Sequence, residues 1–225
     1  MITPRQAAAA PTGRQLSWDA LLFDFDGVLA DTEPLHFACW NEVLQPFGIQ
    51  VSWDFYQKQC IGVTDRLMIE RLVAARIPPA AFEEVYSQYP RKKEIFRAHM
   101  EANPPFPEET LLLIRELSSN FNLAVVSSSG RLEIEPALSA AGIRQYFQSL
   151  VCGKEVPNLK PAPDPYLRAA ELLGAARPLV VEDSEAGVAS GQAAGFDVLR
   201  VSGPQSVAAE VRKMLGCRSP QTHVS

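Results

Sequence analysis

The sequence predicts an α/β fold: a doubly wound parallel sheet with a second, small all-helical unit inserted after its first strand. Three observations predict it. Short apolar runs alternate with helical patterns of ten or so residues over the second half of the chain, the signature of parallel strands joined by helices. A single apolar run at residues 20–25 stands alone near the start. Between these regions the hydrophobic period is purely helical, and a proline-rich break, Asn103-Pro104-Pro105-Phe106-Pro107, ends it.

Residues 20–25 form a short apolar run punctuated by acids and a glycine, which reads as a buried strand ending in a loop. Leu35, Cys39, Trp40, Val43, Leu44 and Phe47 then share one helical face, and Gly48 stops that helix. Leu67, Ile69, Leu72 and Val73 suggest another, halted before Pro78-Pro79. Residues 82–87 and 91–100 complete the helical insert. After Pro107 come a helix at 108–117, a strand at 123–127 and a helix at 132–141. A strand at 149–152, a helix at 165–173, a strand at 179–181, a helix at 185–194 and a strand at 198–201 follow. The expected organisation is a tail at 1–17, a core from 18–31 plus 105–216, a cap from 32–104 and a tail at 217–225.

Composition bounds the function. The chain has 225 residues, 47% of them hydrophobic, with 26 acidic and 21 basic side chains for a formal net charge of -5. That is enough apolar material for a core without staples. It excludes a disordered chain and argues against a nucleic-acid binder, which carries a basic domain. Cys39, Cys60, Cys152 and Cys217 are widely spaced with no C-x-x-C, so reduced thiols are expected. No apolar stretch reaches membrane-spanning length and residues 1–17 lack the apolar region of a secretory signal. The expectation is a cytoplasmic protein that binds no membrane.

In open α/β sheets, ligands sit beyond the carboxyl ends of the strands. Asp24, Asp26 and Gly27 follow the first strand, and Ser127, Ser128, Ser129 and Gly130 end the second. Lys154 and Lys160 follow the short strand; Glu182, Asp183 and Ser184 end the next. Carboxylates gathered at one edge need a positive partner. Mg²⁺ is the natural one, because it takes one or two carboxylates and leaves positions for phosphate and water. A hydroxyl at Ser127 and a point charge at Lys160 complete the parts for phosphoryl transfer, which is mostly positioning and charge neutralisation. An aspartate can attack phosphorus, and a second can protonate the leaving oxygen.

These residues carry a resemblance. The run Phe23-Asp24-Phe25-Asp26-Gly27-Val28-Leu29-Ala30-Asp31-Thr32-Glu33 resembles the first motif of the haloacid dehalogenase (HAD) superfamily. Ser127, Lys160 in Lys160-Pro161-Ala162-Pro163-Asp164, and Glu182-Asp183-Ser184 resemble its second, third and fourth motifs, in order, from about residue 18 to 202. The resemblance implies that Asp24 is nucleophile and Mg²⁺ ligand, and that Asp26 is general acid/base with its backbone carbonyl on the metal. It implies that Ser127, Lys160 and Ser128 hold the phosphoryl group. Asp183 ligates Mg²⁺, and Glu182 supports it directly or through water.

Dehalogenases and phosphonate hydrolases of that superfamily lack an acid at the position of Asp26, so a phosphatase or a phosphomutase is implied. His36, Trp40 and Lys92 resemble cap positions of the β-phosphoglucomutases. Where those enzymes carry Gly-Val-Ser-Arg, whose arginine binds a distal phosphate, this chain has Gly62-Val63-Thr64-Asp65. Asp65 would repel that phosphate, and Arg66 lies about 100° further round a helix. Each cap residue also has a plainer reading: Trp40 as core, His36 as a cap or packing residue, Lys92 as a solvated charge, Thr64 and Arg66 as a helix start facing solvent. The expectation is a monomeric Mg²⁺-dependent phosphatase of a small phosphorylated metabolite, a sugar phosphate or short hydroxy-acid phosphate, acting through an aspartyl-phosphate. The alternatives are an isomerase moving phosphate within a hexose, and a non-catalytic binding module on the same scaffold, which the filled chemical positions disfavour.

Overall fold

A computed structural model describes residues 18–61, 63–74 and 81–216. The expected tails and the Pro78-Pro79 break lie outside them. Five parallel strands, β1 (Ala20–Phe23), β2 (Asn122–Ser127), β3 (Ser149–Cys152), β4 (Pro178–Glu182) and β5 (Asp197–Arg200), form one sheet in the order β3-β2-β1-β4-β5.

Period-two alternation sends side chains to both faces, and both are covered. Leu21, Phe23, Leu123, Val125, Leu179 and Val181 pack with Leu113 and Ile114 of α6 (Glu108–Leu117), Ile134 and Leu138 of α7 (Arg131–Ala140), and Val207 and Val211 of α10 (Val207–Leu215). Leu22, Ala124, Val126 and Val180 pack on the other face with Tyr166, Ala169 and Ala170 of α8 (Asp164–Leu173). α9 (Glu185–Ala193) lies against β4 and β5.

Between β1 and α6 come α1 (Glu33–Leu44), α2 (Trp53–Gln59), α3 (Asp65–Ala74), α4 (Phe82–Tyr86) and α5 (Tyr89–Ala102), the helical cap. α2 and α10 are not among the expected elements, although Val207, Ala208, Val211 and Leu215 give α10 a helical period. α2 is two turns long and buries only Tyr56, too few apolar positions for a period to register. Ser52 caps it, its hydroxyl accepting from Phe55 N–H at 3.2 Å. β1 stops two residues short of the expected strand because the chain turns: the carbonyl of Phe25 accepts from the amides of Val28, Leu29 and Ala30.

The chain proceeds from β1 outward through β2 to β3, then returns to the other side of β1 for β4. The strand order therefore reverses between β1 and β4, where a ligand crevice opens at the carboxyl edge. The register aligns Phe23 with Val125 and Val181, so Asp24 comes level with Val126 and Glu182, and Ser127 ends β2 one residue further along.

Candidate active site

Asp24 leaves β1 with its amide bonded to the carbonyl of Val181 at 3.0 Å, which seats it between β1 and β4. Its carboxylate is buried and accepts from Lys160 Nζ at 2.5 Å. The same ammonium donates to Glu182 Oε1 at 2.6 Å and to the carbonyl of Val126 at 2.9 Å, so its three protons are all spent. Burial pushes Lys160 toward the neutral form, but the charges of Asp24 and Glu182 outweigh it and raise its pKa. Burial also raises Asp24 well above the ordinary carboxylate range; Lys160 opposes this, while Glu182 and Asp26 add to it.

Glu182 is fully buried. Its Oε1 also accepts from Tyr166 OH at 2.7 Å, and its Oε2 from the amides of Asp183 and Ser184 and the Ser184 hydroxyl at 3.1, 3.2 and 3.1 Å. Both oxygens are saturated by protein donors. Asp183 is half-buried, and burial, then the charge of Glu182, push its carboxyl up to about 6. Asp24, Glu182 and Asp183 each place one oxygen within 4.8 Å of the others.

Two glycines make room for these acids. Gly27 has φ +77°, and a Cβ there would overlap Asp183 Oδ2. Gly187, in the first turn of α9, has its absent Cβ where the Glu182 carboxylate lies. Alanine at an exposed helix position gains about 1 kcal/mol over glycine. At 187 the overlap outweighs that gain. Gly187→Ala is expected to lower stability by about 1–3 kcal/mol, and to cut turnover at least about tenfold through displaced Glu182 and Lys160. A denaturant melt and a steady-state assay check both; a more stable variant with full activity would refute the placement.

Asp26 stands beyond Asp24. Its Oδ1 accepts from Thr32 Oγ1 at 2.7 Å and its Oδ2 from Ser129 Oγ at 2.9 Å. Two hydroxyls from opposite sides thus fix its rotation. His36 Nε2 lies 4.0 Å from Oδ1, and His36 Nδ1 meets Lys92 Nζ at 2.8 Å. An ammonium only donates, so Nδ1 is the acceptor and Nε2 carries the proton facing Asp26. Burial, then the Lys92 charge, hold the His36 pKa well below its ordinary value, so the ring is neutral at pH 7.

The structure brings Asp24, Asp26, Lys160, Glu182 and Asp183 together, and links His36 and Lys92 to Asp26. Ser127 is buried at the strand end, its Oγ accepting from Ser129 N–H at 3.0 Å, while Ser128 is exposed. Thr64 and Arg66 are engaged elsewhere. Thr64 Oγ1 accepts from Leu67 N–H at 3.3 Å as α3 begins. Arg66 bonds Glu70 at 3.0 Å and lies 4.6 Å from the Phe82 ring centroid. Trp40 is buried, and donates to Asp65 Oδ1 at 2.9 Å.

Sequence reasoning missed Thr32, Ser129, Tyr166 and Gly187. Ser129 and Thr32 sit within motifs already singled out, and their hydroxyl chemistry was the available signal. Tyr166 carried none: it is one aromatic on an apolar helix face.

Known proteins share this arrangement of chain. The family model for haloacid dehalogenase-like hydrolases matches residues 21–201. A phosphorylated carbohydrates phosphatase of Thermotoga maritima is 31% identical over 182 residues, covering 80% of this chain and 82% of its own. A beta-phosphoglucomutase of Mycobacterium bovis is 31% identical over 229 residues, 86% of each chain. The crystal structure of CbbY from Rhodobacter sphaeroides with phosphate superimposes with a TM-score of 0.68 at 26% identity, over 83% of this chain and 87% of that one. With the match spanning β1 to β5 and every acid of the crevice inside it, the chain belongs to the haloacid dehalogenase-like hydrolase family, as an enzyme of the phosphoric monoester hydrolase class.

Proposed function

We propose that this enzyme is a Mg²⁺-dependent phosphatase of a small phosphorylated metabolite, a sugar phosphate or short hydroxy-acid phosphate, working through an aspartyl-phosphate on Asp24. The observation that carries the reading is the pairing of roles: a buried carboxylate fixed by Lys160 beside a second carboxylate fixed by two hydroxyls.

An oxygen of Asp24 attacks phosphorus in line, forming an O–P bond as the ester O–P bond breaks. The leaving alkoxide takes the proton of Asp26. Water then gives its proton to Asp26 and attacks phosphorus, releasing phosphate and restoring Asp24. Ser127 holds a phosphoryl oxygen through its hydroxyl, and Lys160, its protons on Asp24, Glu182 and the Val126 carbonyl, supplies positive charge beside the nucleophile. The hard oxygen donors of Asp24 and Asp183 fit Mg²⁺. Glu182, with both oxygens already accepting, positions Lys160 and the Asp183 turn. Bound Mg²⁺ would neutralise charge on the phosphoryl group and favour ionised Asp24.

The test is phosphate release from a panel of sugar phosphates, phosphoglycolate and nucleotides, with Mg²⁺ or chelator. Mg²⁺-dependent release from one or a few small esters is expected. No release, with conversion of β-glucose 1-phosphate once a bisphosphate primer is added, would establish the isomerase instead. That alternative rests on the His36–Lys92 pair and the M. bovis relative.

Metal binding also has a readout independent of turnover. Mg²⁺ at 100 times its Kd stabilises the fold by about 2.7 kcal/mol, roughly 5–10 °C in melting temperature at this size. The gain should vanish in Asp183→Asn. Since the carboxyl of Asp183 sits at about 6, protons compete with the ion, and the gain shrinks as pH falls below that value. Without metal the sign reverses. The folded chain holds this proton more tightly than the unfolded chain, so the contribution of Asp183 to stability falls as pH rises from the ordinary 3.8 toward 6. Equal melting temperatures with and without saturating Mg²⁺ would count against the site.

A further inference from the structure

Beyond Asp26 the polar side chains continue into the cap as one connected row. His36 stands next to Asp26, Lys92 meets His36, and Asp65 Oδ1 lies 3.9 Å from Lys92 Nζ while accepting from Trp40 Nε1 at 2.9 Å. Lys92 is the ammonium of this row, and the cap buries it: its side chain is 3% exposed against 34% for Asp65. Its Nζ lies 5.3 Å from the Trp40 ring centroid and 5.4 Å from that of Phe96. Trp40 Nε1 and the Tyr89 hydroxyl both bond the Asp65 carboxylate, which has about four acceptor sites, so this partly exposed group keeps acceptor capacity for a ligand while the ammonium is covered. Glu33, at the start of α1, adds a second carboxyl; Tyr56 OH donates to it at 2.9 Å. Arg66, the next cation along α3, is held by Glu70 and the Phe82 ring.

We infer that Asp65 is a specificity residue, which neutralises Lys92 and offers an acceptor, so that the cap side of the site takes a leaving group ending in uncharged hydroxyls and rejects one ending in a second phosphate or a carboxylate. This rests on the phosphatase reading and names its substrate class: monophosphates of neutral polyols or sugars. A hydroxyl donates to the open carboxylate. An anion meets Asp65 directly, with the compensating charge of Lys92 buried behind it. At the distances of this row, like charges in a partly solvated site cost roughly ten- to a hundredfold in affinity.

The test uses two ligands of one carbon skeleton, glucitol 6-phosphate and 6-phosphogluconate, which differ at the far end by a hydroxymethyl group against a carboxylate. Calorimetric titration is done in Asp24→Asn, which stops turnover, and in Asp24→Asn/Asp65→Asn, all with Mg²⁺. The parent is expected to bind the neutral-ended ligand at least about tenfold more tightly. Asp65→Asn keeps an oxygen for Trp40 but frees the charge of Lys92, so the ratio should fall to near unity or invert. Asp65→Ser makes the same charge change and replaces the Asn variant if that one fails to fold. An unchanged ratio on removing the Asp65 charge, equal binding in the parent, or no binding of either ligand overturns the inference. Failure of the phosphatase reading shows separately, as no phosphate release by the wild-type enzyme from any ester.

Discussion

Asp24→Asn is expected to lower kcat by at least roughly 10⁴-fold, because no neighbouring group can take over as nucleophile. It should leave the melting temperature within about 4 °C of wild type. The second half of that expectation follows from the charge count. Three carboxylates, Asp24, Glu182 and Asp183, surround one ammonium. Burial already raises Asp24 well above the ordinary range, so its ionised form is costly in the folded protein. Asn removes that cost and the repulsion from Glu182 and Asp26. It forfeits one charged contact of Lys160, which keeps Glu182 and the Val126 carbonyl. These effects oppose each other, and a net change within about 1 kcal/mol follows. Single-turnover phosphate release and calorimetric melting measure the two halves. Wild-type turnover in the variant would remove Asp24 from the mechanism.

The legibility of this site in the sequence has a physical source. A parallel strand buried on both faces is a near-continuous apolar run, so the acid, hydroxyl or glycine that ends it stands out. Asp24, Ser127 and Glu182 are visible for that reason, and the ligand rule for open sheets joins them. The cap gives no such punctuation. Its helices mix apolar and charged residues along their length, and which charged side chain is buried is decided by tertiary packing. Lys92 reads as one charge in the basic stretch Arg91-Lys92-Lys93, yet the fold buries it while its neighbours stay more exposed. Asp65 is visible as the wrong charge for a distal phosphate. That it faces Lys92 and Trp40 cannot be read from one helix, because its partners lie on two others. Gly187 was invisible for a different reason: a helical glycine has many uses, and only the position of Glu182 shows which applies here.

Lys160→Met should cost both activity and stability. Methionine keeps an apolar stem to cover the Tyr166 ring, which lies 4.9 Å from the Lys160 ammonium, so the substitution mainly removes charge. Among the described residues no other cation is in contact with Asp24 or Glu182. Leaving those buried acids unpaired costs about 3–5 kcal/mol, a fall of roughly 6–20 °C in melting temperature. The deficit has a defined pH sign. Burial already raises the Asp24 carboxyl and Lys160 opposes it, so without Lys160 the folded state holds the Asp24 proton more tightly still and the deficit narrows as pH is lowered. A simple packing defect would not respond this way. The double variant Asp24→Asn/Lys160→Met then separates charge from shape. Removing one surplus acid should return part of the lost stability while activity stays absent, giving a positive coupling between the two sites. Additive losses in that cycle, or a deficit independent of pH, would mean that Lys160 acts through packing, and the electrostatic account of the crevice would fail with it.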